Sequence, residues 1–431
     1  MLYQAQDQNQ GPKKVLKTKV PKTKGQRPKT FHPMIYLDNN ATTRVAPEVL
    51  DAMQPYLGTL FGNPSSAHSL GREMRQAVER AREEVADLIG AAEASEIVFT
   101  SCGSESDNWA IRGVLTAQSE KKHIVTTLVE HEAVRNLCHL LENDGYEVTW
   151  LGVDGNGELD LDALRAALRS DTALVSIMLA NNETGVLFPM SEIGRIVRER
   201  SEALFHVDGV QAVGKIPIDL KATEVDLFAL SGHKFHAPQG IGALYLRAGV
   251  KLDSFIVGGA QEQGRRAGTS AVPNIVALGA ASRLAQHVDD HALVQNLRDR
   301  LEDGILEKIP NARLNGVADR SKRLPNTANI SFEYIEGGNI LMHLDSAGIC
   351  VSTGSACHST THESSPTLRA MNVPYTAAQG SIRFSVGRYN TEAEIDETLS
   401  VLPEIITKLV EMSPYDKELH ALYADRSAGK A

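Results

Sequence analysis

Between residues 95 and 246 the chain alternates short apolar, β-branched runs with longer amphipathic stretches. The runs read EIVFTS, HIVTTL, EVTWLGV, TALVSIML, ALFHVDG, VDLFALS and GALYL, and stretches such as DLDALRAALRS and SEIGRIVRERS between them have helical spacing. Strands alternating with helices predict a largely parallel sheet covered on both faces. Residues 274–309 predict long helices. Further on, NTANISFEY, GICVSTGSAC and GSIRFSVG alternate with the helical EIDETLSVLPEIITKLVEM, which predicts a smaller α+β domain. No internal repeat is evident, and no run nears the ~18 consecutive apolar residues of a membrane span.

Composition narrows the class. The 431 residues are 42% hydrophobic and 23% charged, in the range of an ordinary globular protein able to bury a large core. The net charge is −10, but the first thirty residues hold eight Lys/Arg against Asp7, so the remainder carries −17. An acidic body argues against nucleic acid as a partner. The basic start, GPKKVLKTKVPKTKGQRPKT, has no apolar core and is not a secretory signal. Its composition predicts a disordered tail, and Met34 is an alternative translation start. Cys102, Cys138, Cys350 and Cys357 form neither a CxxC pair nor a metal-ligand spacing, which suits a reducing compartment.

In a parallel sheet of this kind ligands sit beyond the carboxyl ends of the strands, and three such ends carry unusual polar content. FHVDGVQ places Asp208 and Gln211 after one run; LSGHK places Ser231, His233 and Lys234 after another. TSCGSES leads into the helical DNWAIRGVL, so Gly103 and Ser104 fall near a helix N-terminus, where free N–H groups can cradle a phosphate. Taken singly, Lys234 reads as a solvated charge, Asp208 as a strand-end cap and His131 as a core histidine. Together, a lysine, an acid on a neighbouring strand and a phosphate cradle suit pyridoxal phosphate, which needs a lysine Schiff base and a carboxylate beside its pyridine nitrogen. The glycine-rich VGGAQEQGRRAGTS reads either as a surface loop or, through Arg265, Arg266 and Thr269, as an anion contact. Neither GxGxxG after the first strand nor GxxxxGK[ST] is present.

The segments YLDNNATT, FGNPSSAHSLG, EIVFTSCGSESDN, VEHEAV, ANNETGVLFP, HVDGVQAVGK, LSGHKFHAPQGIG, RRAGT, PNTANISFEYIEG, STGSAC and IRFSVGRYN, spread over residues 36 to about 412, resemble the NifS/IscS cysteine desulfurases of the class-V aminotransferase group, closest to the nitrogen-fixation NifS branch. The resemblance implies pyridoxal-phosphate fold type I: a large domain over 47–290 with a mainly parallel seven-stranded sheet, and a small α+β domain from 34–46 and 291–431 that carries the catalytic cysteine, preceded by the tail at 1–33. It makes Lys234 the Schiff-base lysine, Asp208 the partner of the pyridine nitrogen and Gln211 that of the phenolic oxygen. His131 would stack on the ring and move protons. Gly103, Ser104, Ser231 and His233 would hold the phosphate, with Thr269 reaching the phosphate of the other subunit of a homodimer. Arg383 would take the substrate carboxylate as a bidentate fork, and Asn182 would lie near substrate and cofactor.

Cys357 decides the chemistry: it stands in the polar stretch VSTGSACHSTTHESSP, which suits a nucleophile better than a core filler. The implied reaction converts L-cysteine to L-alanine and leaves the sulfur as a persulfide on Cys357, for an iron–sulfur scaffold or other acceptor protein in the cytoplasm. The resemblance supplies no resident metal site, only Cys357 as a transient iron–sulfur ligand. Cys102, Cys138 and Cys350 are expected to be buried fillers. A selenocysteine lyase, another class-V enzyme and a non-enzymatic assembly scaffold are the competing readings. The departures from the family pattern are Gly209 where alanine is usual, Gln239 where lysine is common, the GTSAV after the glycine-rich loop, and His358.

Overall fold

The computed structural model describes residues 34–286, 289–353 and 364–413, and Cys357 and the basic tail lie outside them. Seven strands form the main sheet: β2 (Ile97–Thr100), β3 (His123–Thr127), β4 (Glu147–Leu151), β5 (Thr172–Ser176), β6 (Leu204–Asp208), β7 (Leu227–Ser231) and β8 (Gly242–Leu246). Their order is β2-β8-β7-β6-β5-β3-β4, and β8 runs antiparallel to the other six. All seven expected apolar runs are strands of this sheet.

Consecutive residues of these strands enter different apolar cores, because side chains alternate across a sheet. Val98, Ile124, Leu174 and Leu227 pack on the face covered by α3 (Gly103–Ala117) and α4 (Glu132–Asn143). Their neighbours Phe99, Val125, Val175 and Phe228 pack on the face covered by α2 (Ser69–Ile89), α6 (Met190–Arg200) and α7 (Val272–Ala285). The shorter helices α1 (Pro47–Met53) and α5 (Leu161–Ala167) add to the second face. In α2, Met74, Ala77, Val78, Ala81, Val85 and Ile89 form the buried stripe. Gly90 ends that helix in the left-handed region (φ 61°), where an added Cβ would also stand 2.7 Å from Asp219 Cα.

A second, antiparallel sheet has the order β12 (Ser352–Thr353), β13 (Ser381–Ser385), β10 (Thr327–Phe332), β9 (Ala312–Leu314). Here the alternation is apolar on one side only. Ile330, Phe332, Ile382 and Phe384 pack against α8 (Asp289–Lys308) and the helix Glu392–Met412. Asn329, Ser331, Arg383 and Ser385 therefore occupy the opposite face. A two-stranded parallel pair, β1 (Ile35–Tyr36) with β11 (Ile349–Cys350), leads the chain into Asp38, which bridges to Ser385.

Candidate active site

The carboxyl-end segments after β2, β3, β5, β6 and β7 meet around one cavity of about 180 Å³. Gly103, Ser104, His131, Asn182, Asp208, Gln211, Ser231, His233 and Lys234 line it, nine positions expected from the sequence. Arg383 adjoins it through Asn182, while Thr269 is exposed and does not contribute to the lining.

At one end of the cavity α3 begins. Its N-cap, Cys102, makes no capping bond, so the first-turn N–H groups lack both intrahelical and cap partners there. A Cβ on Gly103 would meet Val210 Cγ2 at 2.6 Å, so the close approach of the helix start to this loop requires glycine. The Ser231 hydroxyl is buried with no partner. A buried unsatisfied donor beside a helix N-terminus fits the phosphate of pyridoxal phosphate.

Three buried carboxyls, Asp107, Asp208 and Glu130, act on one another here, the first two lining the cavity, and their surroundings separate them. Burial pushes the Asp208 carboxyl up, but His131, the Val210 N–H (2.9 Å) and Lys234 draw it back towards the ionised form. Asp107, on α3, is pushed well above its ordinary value by burial and by the charges of Asp208 and Glu130. Its Oδ1 faces His206 Nε2 at 3.5 Å, and His206 Nδ1 pairs with Ser176 Oγ at 2.9 Å. Glu130 is pushed up to about 8 by burial, although its Oε1 accepts from Thr127 Oγ1 (2.7 Å) and the Met178 N–H (3.1 Å). Asp208 is the one of the three with a cationic neighbour, Lys234, which suits it to a protonated pyridine nitrogen.

Glu130 also yields a stability expectation. Its folded-state pKa exceeds its ordinary 4.5, so the folded protein holds a proton that the unfolded chain releases, and stability falls as pH rises from about 4.5 to about 8. Glu130→Gln removes this loss. The variant should gain on wild type steadily across that window and by a constant amount above it, as read from urea midpoints at a series of pH values.

His131 caps α4: its Nδ1 accepts from the Ala133 N–H at 3.2 Å, which leaves the ring proton on Nε2, and burial holds the ring below its ordinary pKa. Lys234 sits on a single 3₁₀ turn, Gly232–Lys234, directly after β7. Its Nζ donates to the carbonyls of Asn40 (2.6 Å) and Ala41 (3.0 Å), so it is held within the protein and is not a solvated strand cap. Gln211 Nε2 donates to the Asn40 carbonyl at 3.0 Å.

Arg383 projects from the polar face of β13 and is 4% exposed. Its Nη1 donates to the Asn182 carbonyl (3.0 Å) and its Nη2 to Asp38 Oδ1 (2.7 Å). Two fixed contacts orient the fork and leave its Nε, buried and unpaired, for a further acceptor. Loss of a substrate carboxylate contact should cost about 1.5–3 kcal/mol, roughly tenfold or more in kcat/KM. Arg383→Lys should recover only part of this, because one ammonium cannot serve Asp38, Asn182 and a carboxylate with fork geometry. Steady-state kinetics of both Arg383→Ala and Arg383→Lys check the expectation.

Cys357 falls in 354–363, outside the described residues, but both flanks lie beside this region. Ser352 pairs with Arg383 across β12 and β13. Ser365 donates to Glu183 Oε2 at 2.6 Å, next to Asn182.

Two expectations need correction. Cys102 and Cys350 are only partly buried, and Cys102 borders the cavity; Cys138 alone of the three is a buried filler. Cys102 is exposed to the cavity because it caps a helix that starts there. The unusual Gly209 has a steric reason, since a Cβ there would collide with the Phe228 ring at 1.8 Å. Asp38, Asn40, Asp107 and Lys215 also belong to the site region; for Asp38 and Asn40 the signal in the sequence is a polar run, DNN, leading directly out of a strand.

Comparison with known proteins places these features in a family. The family description "Aminotransferase class-V" matches residues 35–398. A cysteine desulfurase of Trichormus azollae is 57% identical over 387 residues, covering 89% of this chain and 96% of its own. Cysteine desulfurase NifS of Azotobacter vinelandii is 51% identical over 383 residues, covering 88% and 94%. Among solved structures, a NifS-like protein superimposes with a TM-score of 0.82 at 39% identity, over 87% of this chain and 100% of its own.

Proposed function

Because the chain belongs to the pyridoxal-phosphate-dependent cysteine desulfurases of the class-V aminotransferase family, we propose that it converts L-cysteine to L-alanine and passes the sulfur through Cys357 to an acceptor protein for iron–sulfur cluster assembly. The observation that carries this reading is the single cavity in which Lys234, Asp208, His131 and the Gly103–Ser231 cradle converge, with the flanks of the Cys357 segment beside Arg383 and Asn182.

Gly103, Ser104, Ser231 and His233 would hold the phosphate of the cofactor, Asp208 would pair with its pyridine nitrogen, and Gln211 with its phenolic oxygen. When bound, the cofactor supplies an electron sink for cleavage at the substrate α-carbon. Arg383 holds the substrate carboxylate and so fixes which bonds face the reacting groups. Lys234 moves the proton at the substrate α-carbon, and His131, with its proton on Nε2, serves a second proton position. The Cys357 thiolate attacks the substrate sulfur: an S–S bond forms, the Cβ–S bond breaks, and its electron pair stays on the carbon side, which is then protonated to alanine.

We further propose a homodimer in which Thr269 reaches the partner's phosphate. Phe255, Ile256 and Val257, on the same segment, are 41%, 38% and 87% exposed, which supports a covered surface. The separate apolar cores under the two sheets support a cofactor domain over 47–290 and a small domain from 34–46 and 291–431. A cytoplasmic, reducing location agrees with Cys102, Cys138 and Cys350 being unpaired. No helix among the described residues is long and apolar enough to cross a membrane.

Incubation with L-cysteine and a reducing thiol tests the reaction. Alanine and sulfide should appear in equal yield; alanine without sulfide, or sulfide with a product other than alanine, would overturn it.

A further inference from the structure

Lys215, in the turn after β6, is 9% exposed, yet its two hydrogen bonds go to neutral amide oxygens. Nζ lies 3.0 Å from Asn40 Oδ1 and 2.9 Å from Gln211 Oε1. Among the described residues no carboxylate forms an ion pair with it. An amine so placed is expensive to bury, and it does not line the cavity.

The polarity of its partners gives it a task. With Gln211 Oε1 turned to Lys215, Gln211 Nε2 donates to the Asn40 carbonyl and keeps its second N–H. The flipped amide would set an NH₂ against the lysine donor and an oxygen against a carbonyl, two repulsive contacts. Asn40 is fixed in the same sense. Its Oδ1 accepts from Lys215 and from Asn326 Nδ2 (2.9 Å), so its Nδ2 donates to Thr327 Oγ1 (2.9 Å) and the Asn182 carbonyl (3.3 Å). That carbonyl also takes Arg383 Nη1, and the Asn40 carbonyl takes Lys234 Nζ. Burial, then the charges of Lys234 and Arg383, push the Lys215 amine well below its ordinary pKa.

We propose that Lys215 is a positioning residue that locks the side-chain amides of Gln211 and Asn40, so that Gln211 presents an N–H donor to the phenolic oxygen of the cofactor while Asn40 ties Lys234 and Arg383 into one frame. The inference rests on the cofactor site described above.

The test uses the full-length holoenzyme. Lys215→Met keeps the apolar stem out to the Cε position but removes the donor of both hydrogen bonds. Bound cofactor should lose visible absorption to a shorter-wavelength band, because an anionic phenolic oxygen has lost its donor, and should dissociate about tenfold faster on dialysis. Gln211→Leu should give the same spectral change, and the double variant no more than either alone, since one acts through the other. Lys215→Gln is one atom shorter and can reach at most one of the two oxygens, so it should fall between wild type and Lys215→Met. It also carries the test if the methionine variant does not fold. A wild-type spectrum and dissociation rate in the folded variant, with only a lowered Tm, would reduce Lys215 to a core filler and overturn the inference; additive spectral changes in the double variant would overturn it too. A wild-type protein that takes up no pyridoxal phosphate would instead strike at the cofactor site itself.

Discussion

Lys234→Ala abolishes turnover, by on the order of 10³-fold or more, and leaves a protein that borohydride cannot link to its cofactor. The expectation follows from position. Lys234 ends a 3₁₀ turn locked to β7, lines the cavity together with Asp208 and His131, and has its amine steadied by two carbonyls of the Asn40–Ala41 segment. An amine so held is close to the reacting carbon and oriented, which is where most of the advantage of an enzyme-borne base or nucleophile arises. Lys234→Arg should not rescue the activity, since a guanidinium keeps its proton. Wild-type protein reduced with borohydride and digested should carry the label on the Lys234 peptide. A label on the Lys215 peptide would refute the assignment, and the comparison is a fair one because Lys215 is a buried amine close enough to feel the charge of Lys234, with its pKa pushed well down.

Cys357→Ala and Cys357→Ser should separate cofactor chemistry from sulfur chemistry. Both should fold, retain cofactor and change spectrum on adding L-cysteine, because every group around the cavity is intact. Both should fall to a background rate of alanine formation, with the serine variant no better, since a neutral hydroxyl attacks sulfur poorly. The structural argument is the anchoring of the flanks: β12 pairs with the Arg383 strand, and Ser365 is tied to Glu183 beside Asn182. The described chain stops at Thr353 and resumes at Ser364, both beside the groups that meet the substrate carboxylate, and Cys357 lies between them in sequence. Wild type treated with L-cysteine in the absence of reductant should gain one sulfur on the Cys357 peptide, removable by a thiol. Full alanine production by Cys357→Ala, or the added sulfur mapping to Cys102, would refute the assignment. Cys102 is the pointed control because it borders the cavity.

The sequence by itself determined the strands of the main sheet and several of the residues that line the cavity. Seven apolar runs were enough to predict the strands, since a residue buried on a two-faced sheet must be apolar whichever neighbour it meets. Asp208, Ser231 and Lys234 stood out because polar groups directly after such runs fall at the carboxyl edge of the sheet, where ligands bind. Arg383 came only from the family resemblance; the structure adds that it stands between Ile382 and Phe384, which period-two alternation sets on the side opposite the core. Tertiary structure alone decided the strand order, with β8 antiparallel between β2 and β7, and the pairing of two-residue strands too short to leave a pattern. It also decided the roles of Asp38, Asn40 and Lys215. Asn40 meets Lys215 at 175 residues' separation and Asn326 at 286, while Asp38 meets Arg383 at 345. Periodicity reports whether a side chain is buried, but a hydrogen bond needs a particular partner at a particular distance and angle. When that partner is hundreds of residues away, only the folded chain brings the two together.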